Sequence, residues 1–523
     1  MPTKSPDKVD ALPPAGPVLD QSRTLLSGRL LARNTLWNLV GNGAPVIVAV
    51  FSMPILIRGL GKDRFGVLAL AWALIGYAGL FDLGVGRALT QLVAKKLGCG
   101  EEREVPSLAW TSLLLMLLLG VLGAVVVMVI SPWLVQHALK VPGALQVETL
   151  RSFNLLALSL PVVITTTGLR GLLEAHQRFA LANALRIPMG VFTFVGPLLV
   201  LPFSRTLVPV IAVLVLGRVL GCAGHLWACF RVMPALRREA SFDWSSIPPL
   251  LSFGGWMTVN NVVGPLMLYV DRFVIGSILS IAAVAYYTAP VDIVLRLVII
   301  PSAVVGVLFP AFATSLHREP DRSALLLARG LKYVFLAMFP VVLFLVSFAH
   351  ETLRLWLGPA FEHEGAVVLS LAAAGIFVNS LSTVPFVLIQ SAGRPDLTAW
   401  LLVAELPVYS VLLWSMTRWK GIDGTAMAWA IRLLGEAACV FFLSYRLLPH
   451  KPKLLLGLCT ALTAGLGILY LATLPQNPAS RTMFFVATSL CSAIAAWFWG
   501  LTPAERQPWK RIPAELPVQV HAD

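Results

Sequence analysis

The sequence predicts an all-α polytopic membrane protein of about fourteen transmembrane helices, two parallel six-helix repeats followed by two extra C-terminal helices. Three observations predict it. Of 523 residues, 57% are hydrophobic and only 13% charged, against about 25% charged in a soluble domain. Apolar runs of the ~20 residues needed to cross a hydrocarbon core recur along the whole chain. Four short passages also return in order about 215 residues later, the mark of an internal repeat. Arg218-Val219-Leu220-Gly221 returns as Arg432-Leu433-Leu434-Gly435, and Arg231-Val232-Met233-Pro234 as Arg446-Leu447-Leu448-Pro449. Leu172-Leu173-Glu174 with Arg178 is echoed by Leu388-Ile389-Gln390 with Arg394, and Arg186-Ile187-Pro188 by Glu405-Leu406-Pro407.

The spans of the first repeat fall at 36–57, 67–86, 108–134, 153–170, 185–203 and 207–230, each a predominantly apolar run. Those of the second fall at 253–279, 286–314, 331–350, 365–389, 397–417 and 424–445. Two more, 454–474 and 482–500, lie outside the duplication and are expected at the periphery. Barrel strands are excluded, because these runs lack alternation of polar and apolar residues. An even number of helices per repeat gives both the same orientation, related by an axis along the membrane normal, as in secondary transporters.

The chain therefore divides into a polar tail 1–33, a bundle 34–232, a linker 233–250, a second bundle 251–448, two further helices 449–501 and a second tail 502–523. The linker is the longest internal connection and carries Arg237-Arg238-Glu239 and Pro248-Pro249. The tails read as disordered, and the first carries no cleaved-signal pattern.

A net charge of +14 would suggest nucleic acid in a soluble protein. Here about 26 of the basic residues fall on the side of the N-terminus and about 10 on the other, which is orientation rather than nucleic-acid recognition. Positive-inside logic places both termini in the cytoplasm. The short loops leave no room for a soluble catalytic domain, so no enzyme is expected. The six cysteines and eight histidines are dispersed without metal-ligand spacing, and neither a metal nor a cofactor is implied.

Ionisable side chains at mid-bilayer cost ~2.5–3.5 kcal/mol on insertion scales and mark functional candidates. In the seventh and eighth spans, Asp271 and Arg272 lie ~10–12 Å from the turn between them, and Asp292 and Arg296 ~9–15 Å. Asp292 and Arg296, at i and i+4, are expected to pair, and all four to form one cross-helix cluster. Arg218 sits near the midplane with no acid on its own helix, whereas its repeat mate Arg432 has Glu436 at i+4. Arg218, Arg272, Arg296 and Arg432 are the candidate cavity cations. Asp271, Asp292, Glu405 and Glu436 are the candidate charge partners or coupling groups, with Glu405 able to neutralise Arg218 or to carry a proton. Asn42 with Pro45, and Asn261 with Pro265, occupy similar depths in the first helix of each half, a polar kink suited to gating.

Leu60-Gly61-Lys62-Asp63-Arg64-Phe65-Gly66, followed by Asp82-Leu83-Gly84-Val85-Gly86, resembles the opening of the bacterial polysaccharide transporters of O-antigen flippase type. So do Asp271-Arg272-Phe273-Val274-Ile275-Gly276 leading to Tyr286-Tyr287, and Leu308-Phe309-Pro310. The likeness runs from about Arg33 to Arg446 and extends to a superfamily holding multidrug extruders and lipid II flippases. It implies two six-helix bundles around a central cavity, alternating access in the bacterial inner membrane, and a cargo of undecaprenyl-diphosphate-linked oligosaccharide moved between leaflets. Membrane lipid, a coupling H+ or Na+, and a polysaccharide polymerase and chain-length regulator are the further candidate partners. A cation-coupled drug extruder is the rival within the superfamily, and would favour a more acidic cavity. A membrane glycosyltransferase or polymerase would need a larger extramembrane loop.

Overall fold

The computed structural model describes residues 45, 47–77, 81–238, 241–315, 320–448, 454–475, 477–495 and 497. No strand occurs among them. The tails, and Asn42 with them, lie outside the described residues.

The first half contains α1 (Ile47–Leu60), α2 (Lys62–Gly76), α3 (Val85–Gly98), α4 (Val105–Trp133), α5 (Gly143–Ala157), α6 (Leu160–Ala175), α7 (Phe179–Val200) and α8 (Leu207–Val232). The second contains α9 (Ile247–Ile278), α10 (Ile281–Leu295), α11 (Ile299–Ser315), α12 (Pro320–Ser347), the short α13 (Ala349–Leu357), α14 (Pro359–Ser391) and α15 (Pro395–Leu447). Two more helices, α16 (Leu454–Leu471) and α17 (Pro478–Ala495), pack on α12.

Some expected spans are not single straight helices. The second is two helices, α2 and α3. Leu83 and Gly84 between them have φ of 48° and 77°, a left-handed conformation that no helix can run through. The fourth is also two, α5 and α6, because Pro161 lacks an N–H and fits the first turn of a new helix rather than the interior of an old one. The eleventh and twelfth lie where expected, as the two arms of α15, which folds back at Lys420 and Gly421, where φ/ψ leave helical values.

Long apolar side chains of α4 face outward, with Leu118 58%, Leu122 58% and Val129 72% exposed. In water such a stripe would be a large uncompensated patch; in a bilayer it is the lipid face. Packing is closest where glycine replaces a side chain. α2 meets α10 at Gly66, where a methyl group would collide with the Ile281 carbonyl. One apolar core runs from α1 and α2 through α10 into α14, so it joins the halves, while a second centres on α3, α4 and α6 and reaches α8 and Leu250 of α9.

Candidate functional site

α9 and α10 place four ionisable side chains where the halves meet. Asp271 and Arg272 are buried, at 2% and 3% exposure. The Arg272 Nη2 donates to Asp292 Oδ1 at 2.6 Å across the helix pair. Asp271 accepts from the Tyr287 hydroxyl at 2.7 Å and from the Arg272 backbone N–H at 2.8 Å. The Arg272 guanidinium also lies 5.0 Å from the Tyr269 ring centroid, within cation–π range.

The expected Asp292–Arg296 pair is not formed. α10 ends at Leu295 and tightens into a 3₁₀ turn over Arg296–Val298. Asp292 is held by Arg272 from the neighbouring helix instead. The Arg296 guanidinium lies 5.6 Å from the centroid of Phe194, on α7 of the other half.

In the second half, the fold in α15 lays Glu405 beside Arg432. Arg432 lies 3.2 Å from Glu436 and 3.5 Å from Glu405, over the ring of Tyr409 at 5.3 Å. Glu405 therefore answers Arg432 and not Arg218, because both belong to the same folded-back helix pair. A cavity of about 460 Å³ opens here, lined by Asp292, Arg296, Arg432, Asn379, Tyr269 and Trp429 among others.

In the first half, Arg218 on α8 has no hydrogen bond or ion pair among the described residues. It lines two cavities. One, about 330 Å³, lies between the halves and is lined by Pro45, Trp72, Arg186, Arg272, Asp292 and Arg296 besides Arg218. The other, about 290 Å³, lies among α6, α7 and α8, where Arg170, Arg186 and His225 join it. Shared lining residues link all three spaces into one tract: Tyr269, Asp292 and Arg296 at one junction, Arg186, Gly190, Thr193 and Arg218 at the other. Asp292, already held by Arg272, is the one carboxylate in the lining of the tract among the described residues.

Sequence reasoning passed over Arg186 and Arg170 as site residues. The signal was present, since Arg186 is the repeat counterpart of Glu405, a mid-span charge. Of the expected gating residues, Pro45 lines the cavity between the halves and packs against Gly190 of α7. Asn261 and Pro265 lie within α9.

On the face opposite the linker the two halves touch. There the Lys140 backbone N–H donates to Gly276 O at 2.8 Å, and its ammonium to Ile278 O. The Trp356 indole donates to Val50 O at 2.6 Å, and Lys62 lies 5.9 Å from the Tyr286 ring centroid.

Two bundles enclosing a polar tract define a membrane-transporter fold, and solved structures share it. The lipid II flippase MurJ in an inward closed conformation superposes with a TM-score of 0.69, covering 88% of this chain and 99% of that one at 13% identity. An inward-facing multidrug resistance MATE family transporter of the MOP superfamily gives 0.66, over 82% and 96%, at 15% identity. At the level of sequence, residues 31–316 match the polysaccharide biosynthesis protein family. A Shigella flexneri protein named "Putative O-antigen transporter" is 30% identical over 80% of this chain and 98% of its own length. The membrane protein EpsK of Bacillus subtilis (strain 168), named as uncharacterized, is 23% identical over 88% and 94%. The chain belongs to the polysaccharide biosynthesis protein family.

Proposed function

We propose that this protein flips an undecaprenyl-diphosphate-linked oligosaccharide from the cytoplasmic to the periplasmic leaflet of the bacterial inner membrane, with both termini in the cytoplasm. The observation that carries the reading is the arginine-lined tract, in which Arg218 is a half-buried cation without a protein counter-ion among the described residues. A guanidinium keeps its proton, and its planar fork matches phosphate oxygens bidentately. The apolar tail stays in lipid while the charged head crosses. No bond is made or broken, so the protein is a transporter and not an enzyme.

Alternating access needs the cargo to bind the two states with different affinity. Arg272 supports this, because its carboxylate partner Asp292 lines the same cavity as the cargo would; phosphate and carboxylate then compete for one guanidinium. Glu405 and Glu436 set two carboxylates against one guanidinium, and this excess acid is where a coupling H+ or Na+ would act. Contacts between the halves on the face opposite the linker support an inward-facing state. A drug extruder of cationic compounds fits less well, since the lining presents more guanidinium than carboxylate.

The test is restoration of surface polysaccharide in a flippase-deficient strain by Arg218→Ala, Arg272→Ala and Arg296→Ala. Each is expected to fall well below wild type at equal expression. Full restoration by all three would overturn the reading.

A further inference from the structure

The two halves treat the same repeat position in opposite ways. Arg218 and Arg432 are counterparts, and so are Arg186 and Glu405. Glu436, four residues after Arg432, has Cys222 as its counterpart four residues after Arg218. In the second half both acids reach the arginine, at 3.5 and 3.2 Å. In the first half an arginine and a cysteine stand in their places, and Arg186 and Arg218 line the same cavity of about 290 Å³. One half has neutralised its guanidinium internally; the other has doubled it.

The rest of that cavity suits a phosphate ester carrying hydroxyl groups. No carboxylate lines it among the described residues. Glu174, outside the lining, pairs with Arg170 at 3.2 Å. His225 lines the cavity at 1% exposure. Its Nδ1 donates to Gly221 O at 2.8 Å, and its Nε2 has no partner among the described residues. In that tautomer Nε2 accepts a hydrogen bond, as a sugar or phosphate hydroxyl would supply. Thr166 and Thr193 spend their protons on their own helices, donating to Val162 O and Met189 O, and keep acceptor lone pairs. A buried imidazole left unsatisfied in a polar, cationic hollow is costly unless a ligand completes it.

We propose that this pocket among α6, α7 and α8 is the seat of a phosphate-bearing lipid headgroup, clamped by Arg186 and Arg218, and that the second half has no equivalent seat. The proposal rests on the transport reading only for which headgroup it holds. A polyprenyl diphosphate and a resident anionic phospholipid share the chemistry.

The experiment uses the full chain in nanodiscs of neutral phosphatidylcholine, titrated separately with farnesyl diphosphate and with phosphatidylglycerol, with binding read by native mass spectrometry. Arg186→Gln is expected to weaken binding at least tenfold, and Arg186→Glu, which copies the second half, to abolish it. Cys222→Glu places the missing acid beside Arg218 and is expected to weaken binding similarly, which keeps the test open if the Arg186 variants fold poorly. Arg394→Gln, at an exposed ion pair with Asp396, is the control. Preference for farnesyl diphosphate by tenfold or more assigns the seat to the cargo; equal or tighter binding of phosphatidylglycerol assigns it to a resident lipid. Wild-type affinity in Arg186→Glu and Cys222→Glu, or a larger loss in Arg432→Gln than in Arg186→Gln, would overturn the proposal. Binding that behaves as expected in a protein whose arginine variants all restore polysaccharide would leave the seat standing and remove the transport reading instead.

Discussion

Removing one member of the Arg272–Asp292 pair should cost far more than removing both. The guanidinium is 3% exposed and the carboxylate 13%, with Nη2 and Oδ1 2.6 Å apart. Asp292→Leu leaves a buried arginine facing a leucine. Breaking a buried pair from one side costs about 3–5 kcal/mol, whereas apolar replacement of both partners is often neutral. Two features pull the estimate to the lower part of that range. Arg272 keeps the Tyr269 face at 5.0 Å, and Asp292 borders a cavity that can admit water. The expectation is therefore about 3 kcal/mol for Asp292→Leu, a similar loss for Arg272→Met, and recovery to within about 1 kcal/mol of wild type in the double variant. Reversible unfolding of the purified protein by sodium dodecyl sulfate in mixed micelles, read by circular dichroism, gives all four corners of the cycle. Polysaccharide restoration in cells should move differently: the double variant regains stability but not transport, because the cation is gone. Single variants within 1 kcal/mol of wild type, or a double variant no more stable than either single, would refute the reasoning.

Two further expectations concern the face where the halves touch. Gly66→Val should destabilise by about 1–3 kcal/mol, the usual cost of overpacking a tight contact, because the Ile281 backbone carbonyl stands where a side chain would go; the same unfolding titration measures it, and a value near zero would mean that α2 and α10 are not in that contact in the membrane. Lys140→Ala removes the ammonium that holds the end of α9 at Ile278, and should raise the rate at which a cysteine placed at Trp72, in the cavity between the halves, reacts with a charged thiol reagent from that face. An unchanged rate would show that Lys140 does not hold the closure.

The second span and the eighth show where linear reading fails. An apolar run at 67–86 looks continuous because hydropathy does not register backbone dihedrals, yet the positive φ of Leu83 and Gly84 splits it. The i, i+4 rule allows Asp292 to meet Arg296, but Arg272 of the neighbouring helix takes that carboxylate, at 2.6 Å. Glu405 is 27 residues from Arg432 and 187 from Arg218; chain position alone offers no reason to prefer either.

By itself the sequence determined the helical membrane class, because a bilayer forces every backbone polar group into intrahelical bonds and so demands long apolar runs. It also determined the duplication, because a repeat survives as residue types at a fixed offset, and the rarity of mid-span charge, because burying one is costly. Only the tertiary structure decided which charges neutralise each other. That depends on the fold in α15 that sets Glu405 against Arg432, on the burial that fastens Arg272 to Asp292, and on the meeting of α6, α7 and α8 that gathers Arg170, Arg186 and Arg218 around one hollow. Coulomb energy falls with distance in space, not in sequence, so partner choice within a membrane is settled by packing.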